Sequence, residues 1–248
     1  MVVACFTSGH KGGTGKTTLS TMLTIGLSIA RVRVLLVDVS TEGGAGVLLF
    51  GTPPAPHLRD VLAGKVRLPR AVGIYAVEYE GEDYEFGFVS NRGQLPRVEL
   101  DPLFSELKRL EGRYFDVIII DLPAYQDPWY EGFVKRSEVV VKVVEPNPAA
   151  IGAAVRAWPP EMGDGSAVVL YAVNHPRPYL RSVTERYLRE LRRRFGDEAV
   201  LAIPYDYAAS RLAPETLSQA LLLVKEPFQD ALLRLAQRII RPRVKVSA

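Results

Sequence analysis

Short apolar runs rich in Val and Ile alternate along this chain with stretches whose apolar residues recur at helical spacing. The runs are Val2–Thr7, Val34–Val39, Phe115–Ile120, Val139–Val144, Ala167–Val173 and Ala199–Ile203. Each has the length and composition of a buried strand. Helical spacing marks Lys16–Ala30, Asp101–Glu111, Pro128–Arg136, Pro148–Ala157, Tyr179–Phe195 and Glu226–Ile240, and Leu58–Gly64 reads as a short helix that stops at Gly64. Segments 71–80 and 84–90 read as two edge strands joined by Gly81-Glu82-Asp83. Pro53-Pro54-Ala55-Pro56 and Trp158-Pro159-Pro160 are surface turns. The alternation predicts an α/β fold, a doubly wound, mostly parallel sheet flanked by helices. No repeat, low-complexity tract or linker interrupts it, so 1–248 reads as a single domain.

The first strand runs into Ser8-Gly9-His10-Lys11-Gly12-Gly13-Thr14-Gly15-Lys16-Thr17-Thr18, and a helix follows. Strand, glycine loop, Gly-Lys-Thr and helix form the context of a phosphate-binding loop, so the fold is expected to be that of a P-loop NTPase. Glycines let consecutive backbone N–H groups converge on phosphate oxygens, and the helix adds its positive N-terminal end. Gly12, Gly13, Thr14, Gly15, Lys16, Thr17 and Thr18 are therefore the nucleotide-binding candidates. Lys16 reaches the β- and γ-phosphates, and the Thr17 hydroxyl is a Mg²⁺ ligand. His10 reads as a plain loop histidine.

Two further runs end in acids. Val34-Leu35-Leu36-Val37 leads to Asp38, and Val117-Ile118-Ile119-Ile120 leads to Asp121. Carboxylates at the C-terminal ends of parallel strands face the P-loop crevice. With Thr17 they form the expected metal site, Asp38 and Asp121 holding Mg²⁺ through water. Further along, Asn174 follows the fifth run and Pro204-Tyr205-Asp206 follows the sixth. An Asn amide offers a donor and an acceptor to a purine edge.

Composition narrows the setting. One cysteine, Cys5, leaves no intramolecular disulfide and points to a reduced, cytoplasmic compartment. No signal peptide or membrane-spanning run is legible. Three Asn and five Gln against 18 Pro suggest a thermophile source. The net charge of +3 does not imply nucleic acid by itself, so the distribution of charge has to decide.

The form Lys11-Gly12-Gly13-Thr14-Gly15-Lys16-Thr17 resembles the deviant Walker A motif of the ParA/MinD family of ATPases. The likeness covers most of the chain: Leu58–Gly64 matches a short helix after switch I, Asp121-Leu122-Pro123-Ala124-Tyr125-Gln126 matches Walker B and switch II, and Val141–Pro148 matches the turn after it. The resemblance implies ATP/ADP and Mg²⁺ as cofactors and an ATP-dependent homodimer in which Lys11 crosses to the partner's nucleotide. It implies that Asn174 and Ile203–Asp206 flank adenine. One position departs. Where the family keeps a second switch I Asp to position water, this chain has Ser40, with Glu42 two residues on. The catalytic set expected from the likeness is Lys11, Lys16, Asp38, Ser40 and Asp121, with slow hydrolysis.

The likeness implies a dimerising ATP switch for DNA partitioning or cargo positioning, with a ParB-like regulator among its partners. Arg181, Arg186, Arg189, Arg192, Arg193 and Arg194 stand opposite or beside an apolar stripe of Leu180, Val183, Tyr187, Leu188, Leu191 and Phe195, with Arg177 just before. That pattern suggests non-specific DNA contact. Two alternatives share the superfamily. A metallochaperone or cofactor-biosynthesis ATPase would need a cysteine pair that Cys5 alone cannot supply. A MinD-like membrane-surface switch needs an amphipathic C-terminal helix, for which Arg241–Lys245 after Phe228–Ile240 is short.

Overall fold

The run Val2–Thr7 is strand β1, buried at every position, as a strand covered on both faces must be. The computed structural model describes residues 2–8, 11–110, 112–124, 129–156, 167–175, 177–178 and 181–241. In chain order β1 is followed by α1 (Lys16–Ile29), β2 (Val34–Asp38), α2 (Gly44–Phe50), α3 (Leu58–Leu62) and α4 (Leu68–Ala71). Then come β3 (Gly73–Tyr79), β4 (Glu82–Val89), α5 (Asp101–Leu110), β5 (Val117–Asp121), α6 (Tyr130–Lys135) and β6 (Val139–Val144). The last part holds α7 (Pro148–Arg156), β7 (Val168–Asn174), α8 (Arg181–Phe195), β8 (Val200–Ile203), α9 (Tyr207–Ser210), α10 (Leu217–Leu223) and α11 (Glu226–Ile240).

These strands form one sheet in the order β3-β4-β2-β5-β1-β6-β7-β8. Neighbours pair in parallel except β3, which runs antiparallel to β4. The expected doubly wound, mostly parallel architecture is the observed one. Val34↔Val117 and Asp38↔Asp121 fix the register of β2 on β5, so the two strand-end acids lie side by side. Helices α1, α2, α10 and α11 cover one face, meeting Val2, Ala4, Phe6, Leu36 and Ile119. Helices α3 to α6 cover the other over Val3, Cys5, Leu35, Ile118 and Ile120, and α8 extends it over Tyr171 and Val173. Ile118, Ile119 and Ile120 have no exposed surface, so truncating any one to Ala would cost about 2–5 kcal/mol.

Several boundaries and one pairing differ from the sequence reading. Segments 71–80 and 84–90 do not form two edge strands. β3 is the edge, while β4 lies inside the sheet and pairs with β2 through Leu35↔Gly87 and Val37↔Val89. Its C-terminal half, Phe86–Val89, is buried accordingly. The hairpin turn is Glu80-Gly81, both with positive φ (51° and 82°), rather than Gly81-Glu82-Asp83, because Tyr79 already pairs with Glu82. Two positive φ angles match the twist of the flanking strands. β5 starts at Val117 and includes Asp121, since the Phe115 N–H bonds back to the Leu110 carbonyl instead of joining the ladder.

Helix α2 was not expected, because glycine disfavours helix and Gly43-Gly44-Ala45-Gly46 reads as loop. The glycines serve close approach. A Cβ on Gly43 (φ 69°) would meet Pro53 at 2.1 Å, and one on Gly46 would lie 2.9 Å from the Pro53 backbone. Expected features at Gly9, His10, Glu111, Tyr125–Pro128, Ala157, Trp158-Pro159-Pro160, Tyr179, Leu180 and 242–245 lie outside the described residues.

Candidate functional site

The loop between β1 and α1 takes its shape from two glycines with left-handed backbone, Gly13 (φ 74°) and Gly15 (φ 83°). Gly15 is the N-cap of α1 and supplies no side chain, so no side-chain cap covers the first-turn N–H groups of α1. An uncapped helix start with converging amides is an anion cradle. Gly12 lies close to the segment that follows β5: a Cβ there would stand 3.8 Å from the Ala124 Cβ.

Lys16 is the first residue of α1 and is 7% exposed. Its ammonium donates to the Ser8 hydroxyl at 3.0 Å, and Ser8 in turn donates to the Lys11 carbonyl. Burial pulls its pKa below the usual lysine range, and the Asp121 carboxylate opposes that shift. A desolvated lysine facing an uncapped helix start is suited to phosphate, where its charge is needed most.

Asp38 and Asp121 are both buried. Asp38 Oδ1 accepts from the Ser40 N–H at 2.9 Å, and Oδ2 accepts from Ala45 and Gly46 N–H at 2.9 and 3.2 Å. These amides tie switch I to the end of β2. Burial pushes the Asp38 carboxyl up to about 6 against those hydrogen bonds. Asp121 is pushed up to about 7 by burial and then by the charge of Asp38, with the Thr17 hydroxyl, Lys16 and Ser20 opposing. Asp121 Oδ1 has no hydrogen-bond partner among the described residues. Two carboxylates that resist ionising together, one with an orphaned oxygen beside a threonine hydroxyl, fit a hard divalent cation that brings its own water. Among the described residues no group of three or more His, Cys, Asp or Glu could hold a metal ion.

The expected base-side residues also come together. Asn174 ends β7 in register with Ile203 at the end of β8, and the His175 N–H bonds to the Ile203 carbonyl at 3.0 Å. Pro204, Tyr205 and Asp206 follow directly. The Asn174 amide donates to the Thr14 carbonyl at 2.8 Å, which anchors the P-loop to this edge. The Asp206 carboxylate is turned inward. It accepts from the Ala209 N–H at 2.9 Å, capping α9, and from the Lys225 N–H at 3.0 Å, at the start of α11.

Comparison with known proteins places this arrangement. The model of the CobQ/CobB/MinD/ParA nucleotide-binding domain matches residues 5–217. This chain belongs to that family. It is similar to a septum site-determining protein MinD of Chlorella vulgaris, at 27% identity over 94% of this chain and 84% of that one. In structure it resembles the septum site-determining protein MinD of Pyrococcus horikoshii complexed with Mg-ADP, with a TM-score of 0.68, 21% identity and coverage of 100% and 99%. It also resembles pNOB8 ParA bound to nonspecific DNA, with a TM-score of 0.66, 15% identity and coverage of 96% and 98%.

In this member of the CobQ/CobB/MinD/ParA family the loop after β2 is held by side-chain hydrogen bonds. The Ser40 hydroxyl accepts from the Gly44 N–H at 2.6 Å, so it secures the start of α2. A Cβ on Gly44 would lie 3.3 Å from that hydroxyl and 3.5 Å from Thr17 Oγ1, so the loop after β2 runs against Thr17. Glu42 is exposed. The Asn91 amide, fully buried, donates to the Ser40 and Gly93 carbonyls at 3.1 and 3.0 Å and fixes the same loop from β4.

Sequence reasoning missed Ser8, Asn91, Glu145 and Asn147. Ser8 and Asn91 act through hydrogen bonds that no spacing reveals. Glu145 left a signal, an acid just past a Val-rich run, as at Asp38 and Asp121. Lys11 approaches Asn147 Oδ1 at 3.4 Å and Glu145 Oε2 at 3.9 Å. On α8, Arg181, Arg186, Arg189, Arg192, Arg193 and Arg194 are all exposed. Arg181 pairs with Glu185 at 2.7 Å and Arg192 with Asp197 at 3.7 Å. Leu188 and Leu191 are buried as expected, and Thr184 is buried with them, facing His175 Nε2 at 2.9 Å.

Proposed function

We propose that this chain is a Mg²⁺-dependent ATP switch of the MinD/ParA kind, which binds ATP, dimerises through it and hydrolyses it slowly. The observation that carries the reading is the in-register pair Asp38–Asp121, with its orphaned Asp121 oxygen, beneath the uncapped start of α1. Mg²⁺ would be held by Thr17 directly and by Asp38 and Asp121 through water, and would supply charge neutralisation across the β- and γ-phosphates. Backbone amides of Gly12 to Thr18 bind the phosphates, Lys16 neutralises them, and Asn174 with Pro204 and Tyr205 borders the adenine. Asp206 supports that border from inside through α9 and α11. Lys11, half-exposed at the rim, is the group that reaches a partner's nucleotide.

Slow hydrolysis follows from Ser40. A hydroxyl that caps α2 cannot readily take a proton from water at neutral pH. The ATP-bound dimer then persists until a regulator acts, which suits a positioning or partitioning switch. Non-specific DNA is the partner we favour for α8. Its exposed arginines form a stripe, dimerisation doubles their number, and phosphate contacts add. Among the described residues no helix is long and apolar enough to cross a membrane.

Competition of a labelled ATP analogue by ATP and GTP tests the nucleotide claim: ATP should displace it and GTP should not. Lys16→Ala should abolish binding. Lys11→Ala should bind nucleotide yet stay monomeric by light scattering. Equal displacement by GTP would remove the adenine border, and binding retained in Lys16→Ala would remove the phosphate cradle.

A further inference from the structure

The sheet ends in two edge strands, β3 and β8, and they are finished differently. β8 has only four residues, and its Val200 carbonyl accepts from Arg238 Nη1 at 3.2 Å. A short edge with a charged side chain laid on its backbone is protected against pairing with another chain. β3 has seven residues, Gly73-Ile74-Tyr75-Ala76-Val77-Glu78-Tyr79, without Pro, Lys or Arg. Its ladder to β4 runs unbroken by a bulge. It lacks the usual devices that blunt an edge.

The turn decides which backbone groups β3 offers. Glu80-Gly81 is a two-residue loop with both φ angles positive, so the closing pair Tyr79↔Glu82 is hydrogen-bonded. Bonded and non-bonded pairs alternate from there. Gly73, Tyr75, Val77 and Tyr79 turn their N–H and C=O groups towards β4, and Ile74, Ala76 and Glu78 turn theirs away from the sheet. Among the described residues no turn or loop backbone pairs with these three.

A second copy of the strand fits this edge. Laid antiparallel about a two-fold axis at Ala76, it sets Ile74 opposite the partner's Glu78, Tyr75 opposite the partner's Val77 and Gly73 opposite the partner's Tyr79. Every outward N–H then meets a carbonyl. No like charges stand opposite, an aromatic ring meets a β-branched side chain, and a tyrosine covers a glycine. The axis is perpendicular to the sheet, so α10, which packs on β3, lies on the same side in both copies. Its Leu222 and Leu223, 60% and 69% exposed, add apolar surface on the helix that covers this edge.

We propose that β3 is a self-association edge, at which two copies pair β3 with β3 about Ala76 and join their sheets into one. β4, β2 and β5 separate β3 from the P-loop strand β1, so the contact needs neither nucleotide nor Lys11.

The test is sedimentation equilibrium of the nucleotide-free chain across a concentration series, each variant first checked by its melting curve. The wild type should dimerise. Ala76→Pro removes an outward N–H from each copy and leaves the ladder to β4 intact. Its melting curve should hold while the dimer constant falls by about 4- to 100-fold, at about two- to tenfold per bond. Ile74→Glu sets a carboxylate opposite the partner's Glu78 on both sides of the axis and should weaken association by up to about 25-fold, at about fivefold per pair. Adding Glu78→Lys turns both repulsions into ion pairs and should restore it, a rescue that only this register produces. A wild type that stays monomeric overturns the proposal and leaves the edge to a strand of a different protein. Undiminished dimerisation of a folded Ala76→Pro also overturns it. Should Ala76→Pro not fold, failure of the rescue overturns the pairing by itself. In the Ala76→Pro background the nucleotide-driven dimer is measured alone, so the two associations are told apart.

Discussion

Asp206→Ala separates a structural carboxylate from a nucleotide-binding one. Asp206 is 4% exposed, and its two oxygens accept from the Ala209 and Lys225 N–H groups. The Ala209 donor is buried, so losing its acceptor leaves an unsatisfied group worth about 1–3 kcal/mol. Lys225 is exposed, so water can replace the lost bond there, and the loss is closer to the ordinary ~1 kcal/mol. The sum is about 2–4 kcal/mol. In a chain of this length each kcal/mol moves the melting point by about 2–4 °C, so the expected fall is about 4–16 °C. Circular-dichroism melting measures it, and ATP-analogue titration well below the transition measures the site. The folded variant should keep its nucleotide affinity within about tenfold, because the effect on the base passes through α9 and α11. A melting point within about 2 °C of wild type, together with a larger loss of affinity, would show that the carboxylate serves the nucleotide and that the inward geometry has been misread.

Other perturbations reach other parts of the argument. Burial within β6 pulls the Lys142 amine down to about 7. Between about pH 7 and 10.5 the unfolded chain therefore binds the proton that the folded chain lacks, so stability rises with pH across that window. Lys142→Met should flatten this rise and stabilise the protein by about 2–4 kcal/mol at pH 6, measured by urea unfolding at several pH values; an unchanged slope would refute it. Ser40→Asp should raise steady-state phosphate release by roughly 10² or more, whereas Glu42→Gln should leave it unchanged. Abolition of turnover in Glu42→Gln would move the base to Glu42. Arg186→Ala, Arg189→Ala and Arg193→Ala combined should weaken ATP-dependent binding to random duplex and lower its salt slope by roughly 2–3 per protomer. An unaltered slope would take α8 out of the DNA interface.

The parts of the candidate site that adjoin one another along the chain were legible in the sequence because they are local. Glycine spacing, Gly-Lys-Thr and a helix start within a few residues of one another make the P-loop. A run of four apolar residues before Asp121 marks both a buried strand and the acid at its end. Period and composition also fixed the fold class, since strands covered on both faces must be continuously apolar. What depended on distant segments was not legible. That β4 lies inside the sheet follows from its pairing with β2, and nothing in 84–90 by itself distinguishes an inner strand from an edge. Helix α2 keeps glycine at its start, despite glycine's poor helix propensity, because Pro53 lies so close to Gly43 and Gly46 that a Cβ at either would clash. Ser40, Asn91 and Asp206 acquire their partners only when β2, β4 and β8 are brought to their places. Lys11 shows the division most plainly. Its motif is a seven-residue pattern, but the groups that hold its charge, Glu145 and Asn147, lie some 130 positions away. They reach it only because β6 pairs with β1, and sequence periodicity carries no record of which strands become neighbours.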